Sequence, residues 1–168
     1  MRFVSPLENK IYFEKALFLY LKYSKFMEDD FSISNANFYQ YFLNLIERTS
    51  PFFYLIIEDE SVCGIVYLDN IIGNDKYLFS AELTTCFDQK YWGNFTKICA
   101  YIFIKYCFEN FGFQKIKALV YPENFRVKTL LKNAGFIKES LLKNETIRFG
   151  KMQDIEVYSV YKTNYMKG

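Results

Sequence analysis

The chain has 168 residues and a mass of 20.1 kDa, a length that favours a single domain spanning residues 1–168. Hydrophobic residues make up 51% of it and charged residues 24%, which is the balance of a folded globular protein. The 21 basic and 19 acidic residues leave a net charge of +2. This excludes a strongly basic nucleic-acid binder and an acidic solvating tail.

The sequence contains no histidine. This removes Ser-His-Asp and Cys-His catalysis and the zinc sites that need imidazole ligands. A general base must therefore be a carboxylate, a tyrosine, a lysine, a cysteine or a relayed water. None of the cysteines has C-x-x-C spacing, so we expect reduced thiols and no metal site at Cys63, Cys86, Cys99 and Cys107.

The beginning of the chain, MRFVSPLENK, has no apolar signal core, and no run of about 18 apolar residues follows it. We therefore expect a cytoplasmic protein with no membrane partner. The 19 Phe and 15 Tyr allow two interpretations, base stacking on nucleic acid or packing in the core. Because no basic stripe accompanies these aromatic residues, we favour core packing and expect no nucleic-acid partner.

The N-terminal half predicts one strand, two helices and three further strands. Apolar residues at helical spacing mark both helices, and Pro51 ends the second one. Turn signals lie at Glu58–Ser61 and Gly73–Asp75, so the strands around the first turn form a hairpin. The polar stretch Glu28–Asp30 is predicted as a loop. In chain order the elements are Met1–Val4, Leu7–Tyr23, Asn35–Arg48, Phe52–Glu58, Val62–Ile71 and Tyr77–Phe87.

The C-terminal half predicts two helices and three strands. Phe95–Phe111 has apolar residues at i, i+3, i+4 and i+7, which indicates a long amphipathic helix that closes near Gly112. Pro122–Asn124 opens a short helix, after which Gly135 suits the left-handed position and Phe136 packs back onto the helix. The strands are Lys115–Tyr121, Phe136–Leu142 and Ile155–Tyr161, with a polar loop around Asn144 and Gly150 between the last two.

This order places a strand–helix–strand crossover among antiparallel hairpins. Such a crossover pairs two strands in parallel, so the sheet must be mixed and twisted. The predicted fold class is therefore α/β (α+β), a mixed β-sheet with helices on both faces.

Three tracts resemble the GCN5-related N-acetyltransferases (GNAT), and in particular their RimJ/RimL-like branch. They are SAELTTCFDQKYWG, FGFQKIKALVYPENFRVKTLLKNAGF and RFGKMQDIEVYSVY. The corresponding family pattern runs roughly AELGYWI, YWGKGYATEA, a helix, a strand and PENIASIRVLEKLGF. The resemblance covers about residues 52–162 and is most specific at Glu82–Gly93 and Pro122–Phe136.

The resemblance implies a sheet splayed at its middle, with acetyl-CoA as the co-substrate lying in the splay. The pantetheine arm would run beside the central strand, and the pyrophosphate would meet the N-terminus of the following helix, where backbone amides and the helix dipole favour an anion. Asn124 would contact the pantetheine or help orient the thioester, and Lys132 would contact the outer phosphates. Independently of the resemblance, Asn124 is expected to be the N-cap of the short helix. The cofactor-contacting positions implied in this way are Cys86, Phe87, Trp92, Gly93, Asn94, Phe95, Thr96, Lys97, Asn124 and Lys132.

The sequence departs from the family pattern in the phosphate loop. Phe95 and Lys97 stand where the family has glycine or a small residue, which lets the backbone approach a phosphate. A phenylalanine side chain there is expected to obstruct the approach, and a lysine to supply a compensating cation. Leu131 stands where several branches of the family place a catalytic tyrosine.

Acetyl transfer needs a base for the amine and a proton for the leaving thiolate. Glu82 is the candidate base, because it lies in the central strand, in the AEL context that recurs in the family. The alternative is a structural, ion-paired glutamate. Tyr158 is the candidate acid, and packing in the core is its alternative role.

The function predicted from these residues is an acetyl-CoA-dependent N-acetyltransferase of a primary amine, either a small amine, an amino sugar or a protein N-terminus. The alternative is a degenerate GNAT-fold protein that binds CoA or a partner without catalysis, because the phosphate loop has lost glycines. The sequence leaves the choice between monomer and homodimer open.

Overall fold

The computed structural model describes residues 1–34 and 37–165. The described helices are α1 (Lys10–Met27), α2 (Asp30–Ile33), α3 (Phe38–Thr49), α4 (Asn94–Tyr106), α5 (Phe125–Asn133) and α6 (Lys162–Tyr165). The described strands are β1 (Arg2–Val4), β2 (Phe53–Glu58), β3 (Ser61–Asn74), β4 (Tyr77–Phe87), β5 (Lys115–Val120), β6 (Ile137–Arg148) and β7 (Lys151–Tyr161).

The strands follow the order β1-β2-β3-β4-β5-β7-β6 in one sheet. Strand β4 pairs with β5 in parallel, whereas β1 with β2, β2 with β3 and β5 with β7 are antiparallel. The predicted mixed α/β fold is therefore confirmed. In the described residues the parallel ladder spans only Ser80–Glu82 against Lys115–Lys117, although β5 continues to Val120.

The residues cluster into two compact units. The first combines Met1–Leu68, Thr84–Tyr91 and Ile147–Lys151, and the second combines Asp69–Leu83, Trp92–Thr146 and the chain from Met152 on. The single-domain interpretation of residues 1–168 stays a prediction.

Aromatic packing dominates the core of the first unit. The Phe42 ring lies 5.0 Å from Tyr20, 5.8 Å from Phe13 and 5.8 Å from Phe53, measured between ring centroids, and Phe53 stacks on Tyr67 at 5.1 Å. All five rings are buried. Edge-to-face and offset contacts of this kind stabilise a core beyond their apolar area. The packing interpretation of the aromatic content is confirmed for these residues.

Helix starts follow asparagine and aspartate caps. The Asn9 side chain accepts the Tyr12 amide at 2.8 Å, and Asn37 accepts the Gln40 amide at 3.0 Å. Because an N-cap oxygen satisfies a first-turn amide, it fixes where the helix begins. Helix α1 therefore starts at Lys10 rather than at the predicted Leu7, and it runs beyond Tyr23 to Met27.

Helix α3 confirms the second predicted helix over its described part. The predicted beginning, Asn35, lies outside the described residues together with Ala36. The predicted loop at Glu28–Asp30 is partly wrong, because the Asp29 side chain accepts the Ser32 amide at 3.0 Å and starts the short helix α2.

The end of α5 matches its prediction in detail. Gly135 has φ +86°, the Phe136 amide donates to the Leu131 carbonyl at 3.0 Å and the Gly135 amide to the Lys132 carbonyl at 3.1 Å. These two bonds define a Schellman motif.

The loop predicted around Asn144 is wrong, because this residue lies inside β6. The Asn144 amide and the Lys143 ammonium both donate to the Asp154 carboxylate of β7, at 2.8 and 3.0 Å. The hairpin continues to a tight turn at Phe149 and Gly150, both at positive φ. The Asp30 carboxylate accepts both turn amides at 2.8 Å and so replaces water at an exposed turn.

Candidate active site

The beginning of α4 differs from those of the other long helices. Its N-cap is Gly93, with φ +114°, and no side chain caps the helix. The Gly93 carbonyl accepts the Lys97 amide at 3.3 Å and the Thr96 hydroxyl at 2.8 Å. An added Cβ at Gly93 would meet nothing within 4 Å, so the approach is open and only the backbone conformation demands glycine. Amides of a first helical turn point out of the helix and favour an anion.

The structure brings the predicted phosphate-loop residues together at this helix start. Trp92, Asn94 and Lys97 are exposed, Thr96 is buried and Phe95 is half-buried. Helix α4 begins regularly at Asn94 although the family glycines are missing. The expected obstruction by Phe95 is limited by this partial burial, since part of the ring packs against the protein. That these residues contact acetyl-CoA stays a prediction.

Asn124 caps α5, as the sequence predicted, and its side chain accepts the Val127 amide at 3.2 Å. Lys132 is exposed in the last turn of the same helix. A rise of about 1.5 Å per residue separates the two positions by roughly 12 Å along the helix axis. The cofactor roles of Asn124 and Lys132 stay predictions.

Arg126 was not singled out from the sequence. Its guanidinium lies over the Trp92 ring, 3.6 Å from the ring centroid. The contact links the first turn of α5 to the residue that precedes Gly93. Trp92 and Arg126 are 34 positions apart in the chain, so spacing gives no signal for this pair.

Cys86 and Phe87 lie at the end of β4 in the first unit, and both are buried. Burial raises the pKa of the Cys86 thiol to about 12. At neutral pH this thiol therefore stays protonated, which disfavours a nucleophilic role. All four cysteines are free and buried, as expected for reduced thiols. The predicted contact of Cys86 and Phe87 with pantetheine stays a prediction.

Glu82 occupies the last residue pair of the β4–β5 ladder, opposite Lys117. Its Oε1 accepts the Lys117 ammonium at 3.1 Å, and its Oε2 accepts the Asn70 amide Nδ2 at 2.8 Å. Both Glu82 and Lys117 are 22% exposed, so the pair lies at a partly open position. Asn70 and Lys117 are the partners that sequence reasoning missed. Residues of opposite charge at paired positions of adjacent strands often interact, and this pattern could have identified Lys117.

Tyr158 is buried on β7, and its hydroxyl donates to Glu156 Oε2 at 2.9 Å. Burial, and then this hydrogen bond, raise the pKa of Tyr158. The Glu156 carboxylate is itself held by Lys138 at 2.9 Å and by Lys128 at 3.4 Å. Hydrogen bonds from these lysines, that of Lys138 above all, lower the pKa of Glu156. These contacts favour a structural role for Tyr158, and its role as an acid stays a prediction.

A second ion pair lies on the same sheet face as Glu82 and Lys117, since Lys115 is two residues from Lys117 on β5. The Lys115 ammonium donates to Glu139 Oε2 at 2.8 Å, and the Ser159 hydroxyl donates to the same oxygen at 2.8 Å. The Tyr161 hydroxyl donates to Glu139 Oε1. Burial alone would raise the pKa of Glu139, but these hydrogen bonds outweigh it and lower the pKa to about 2.

We expect Glu139→Gln to destabilise the protein at pH 7 by about 1–2 kcal/mol, after allowance for partial exposure. The pKa is lowered from 4.5 to about 2 on folding, so the stabilisation is present above pH 4.5 and is lost as the pH falls towards 2. Urea unfolding at pH 7, 5, 4 and 3 measures this. Glu145→Gln, an exposed position on the same strand, is the control. A difference between Glu139→Gln and wild type that stays constant over this pH range contradicts the assignment.

Within residues 1–34 and 37–165, no helix is both long and apolar enough to cross a membrane. The same residues include no group of three or more Cys, Asp or Glu side chains that could hold a metal ion.

Comparison with known proteins agrees with the resemblance. A family model described as "Acetyltransferase (GNAT) domain" matches residues 16–137. The uncharacterized N-acetyltransferase p20 of Bacillus licheniformis is 28% identical over 127 residues, which are 73% of this chain and 68% of that protein.

Solved structures share the fold over nearly the whole chain. A spermidine N-acetyltransferase from Vibrio cholerae, in complex with CoA and spermine, has a TM-score of 0.76 at 18% identity and covers 98% of this chain and 97% of its own. A ribosomal-protein-S5-alanine acetyltransferase from Vibrio fischeri has a TM-score of 0.75 at 17% identity, with 98% and 93% covered. Since the family model spans well over half of the chain, this protein belongs to the GNAT family and is an acetyl-CoA-dependent acetyltransferase.

Proposed function

We propose that the protein transfers the acetyl group of acetyl-CoA to a primary amine, with Glu82 as the proton acceptor. The observation that carries this proposal is the place of Glu82, in the last pair of the β4–β5 ladder and partly open to solvent. The Lys117 and Asn70 side chains hold the two carboxylate oxygens in one orientation. A carboxylate that is held in one orientation and is partly open to solvent is suited to accept a proton from a bound amine.

The nitrogen of the amine gives up two protons in the reaction. An amine that arrives as ammonium first gives a proton to Glu82, which passes it to water. The neutral nitrogen then forms a C–N bond with the thioester carbonyl carbon, and the C–S bond breaks. The nitrogen loses a second proton and the thiolate of CoA gains one, so the products are an acetamide and CoA thiol.

The Tyr158 hydroxyl is a weak proton source for the thiolate. A thiol has an ordinary pKa of about 8.5 and a tyrosine of about 10. Because burial raises the pKa of Tyr158 further, proton transfer from Tyr158 to a thiolate is unfavourable. The proton that the nitrogen loses once the C–N bond has formed, relayed through solvent, is the source that the arrangement favours.

The charges on the sheet face favour an acceptor with a single ammonium group. Glu82 and Glu139 are each paired with a lysine, Lys117 and Lys115 respectively. These two pairs therefore add no net negative charge that would attract a polycation. Both structural neighbours are named for amine acceptors, spermidine and the alanine of ribosomal protein S5. Of these two classes, the charge balance favours an N-terminal α-amine.

Release of CoA thiol from acetyl-CoA in the presence of an amine panel tests the proposal. The panel contains a peptide with a free N-terminal alanine, the same peptide with an acetylated N-terminus, glucosamine and spermidine. We expect the free N-terminus to give the highest kcat/KM and the blocked peptide to give none. Release at the background rate with all four compounds contradicts the proposed activity, and preference for spermidine contradicts the charge argument.

A degenerate, non-catalytic protein is the second candidate, and Phe95 in the phosphate loop is the observation that favours it. If Phe95 obstructs the pyrophosphate, Phe95→Gly strengthens acetyl-CoA binding about tenfold or more, a gain of about 1.4 kcal/mol. We expect instead that the affinity for acetyl-CoA changes less than threefold, because the Phe95 ring is half-buried. We also expect the protein to lose about 1 kcal/mol of stability, because glycine is unfavourable inside a helix. Calorimetric titration and thermal unfolding measure the two quantities. Phe95→Ala, which removes the ring and keeps the helix propensity, is the control.

A further inference from the structure

The guanidinium of Arg126 is held next to the start of α4. It lies 3.6 Å from the centroid of the Trp92 ring, and Trp92 directly precedes the N-cap Gly93. Cation–π contacts of this kind orient an arginine without using its N–H groups. The side chain is therefore positioned while its hydrogen-bonding edge stays available.

No hydrogen bond or ion pair involves the Arg126 side chain among residues 1–34 and 37–165; its described contact is the Trp92 ring. Arg126 is exposed and Trp92 is 36% exposed, so a solute can reach both. A guanidinium offers N–H donors in a planar fork that matches two phosphate oxygens. Some other cations of the described residues are paired with carboxylates, as Lys117 is with Glu82 and Lys143 with Asp154.

The positive charge of Arg126 lies beside the phosphate loop, the segment in which this sequence departs from the family pattern. Phe95 and Lys97 stand where the family pattern has small residues, and α4 nevertheless begins regularly at Asn94. Gly93 retains its open approach, and the first turn of α4 retains its positive dipole end. A cation supplied from α5 adds to the attraction that the start of α4 exerts on an anion.

We propose that Arg126, positioned by Trp92, binds the pyrophosphate of acetyl-CoA at the beginning of α4. The inference rests on the use of acetyl-CoA as the acetyl donor. Arg126 is a binding residue for the co-substrate, and Trp92 acts through it as a positioning residue.

Titration calorimetry with three ligands tests the assignment. CoA and dephospho-CoA both contain the pyrophosphate, whereas pantetheine contains none. We expect Arg126→Gln to weaken CoA and dephospho-CoA about tenfold each, the effect of one charge-assisted hydrogen bond. Pantetheine binding, measured by competition, stays within twofold of wild type. Lys105→Gln is the matched control, since it removes one positive charge about 16 Å along α4.

Trp92→Leu separates positioning from packing. It weakens CoA binding in the wild-type background and has no further effect in the Arg126→Gln background, because the two residues act as one unit. Additive effects of the two substitutions contradict the positioning role. Thermal unfolding of each variant shows that the fold is retained, and Arg126→Lys recovers part of the affinity because the charge remains.

Three outcomes overturn the inference. The first is that Arg126→Gln leaves the affinity for CoA unchanged. The second is that it weakens binding of CoA but not of dephospho-CoA, which assigns Arg126 to the 3′-phosphate. The third is that it weakens binding of pantetheine equally, which shows a structural effect. Failure of the wild-type protein to bind CoA at all overturns the proposed function itself, so the two failures are distinguishable.

Discussion

Glu82→Gln is expected to lower kcat/KM for the amine about 100-fold or more, the range that loss of a general base produces. The substitution is nearly isosteric, and the amide oxygen can still accept the Asn70 hydrogen bond that Oε2 accepts in the wild type. The substitution removes the carboxylate that accepts the proton of the substrate. Acetyl-CoA affinity therefore stays within about twofold of wild type, because no phosphate or thioester contact is removed.

The pH dependence provides the decisive readout for this residue. A general base leaves its signature in the pH profile of kcat/KM, so Glu82→Gln is expected to change the shape of that profile. Glu145→Gln makes the same chemical change at an exposed position and leaves the profile unaltered. An unchanged pH profile in Glu82→Gln, whatever its rate, assigns this glutamate to the structural ion pair with Lys117 instead.

Gly64→Ala is expected to destabilise the protein by about 2–3 kcal/mol, at the upper end of overpacking effects. A Cβ at this position of β3 would lie 2.7 Å from the Cys86 carbonyl oxygen and 2.8 Å from Phe87 Cδ1. The first of these atoms is backbone, so it cannot move without displacing the end of β4. Guanidinium unfolding measures the change.

The control for this prediction is Ser61→Ala at the beginning of the same strand, which we expect to change stability by less than about 0.5 kcal/mol. Gly93→Ala provides a contrast, because an added methyl meets nothing within 4 Å there and only the positive φ opposes it. Wild-type stability in Gly64→Ala contradicts the close approach of β3 to the end of β4.

Most elements of the fold follow from local patterns. The stretch Tyr77–Phe87 is predicted as a strand with the observed bounds of β4, and Gly135 with Phe136 predicts the end of α5. The β6–β7 hairpin is different, since the polar residues around Asn144 suit a loop equally well. Its pairing depends on the Asp154 carboxylate ten residues away, and the turn depends on Asp30, more than one hundred residues away.

The candidate site likewise contains residues that local motifs predict and partners that only the tertiary fold brings to them. The positions of Glu82, Gly93 and Asn124 follow from their motifs, because a place within a strand and a helix cap are local properties. The partners Asn70 and Arg126 belong to other elements and reach the site only through the tertiary fold. Tyr158 was selected for its chemistry, but the sequence does not show that its hydroxyl faces Glu156.

Calorimetric titration of acetyl-CoA into the purified wild-type protein tests the central claim most directly. We expect one site per chain with a Kd in the micromolar range, about −8 kcal/mol, because the start of α4, Gly93 and Arg126 together retain a phosphate site. Absence of detectable binding at millimolar acetyl-CoA would contradict the account. The GNAT fold would then serve a non-catalytic role.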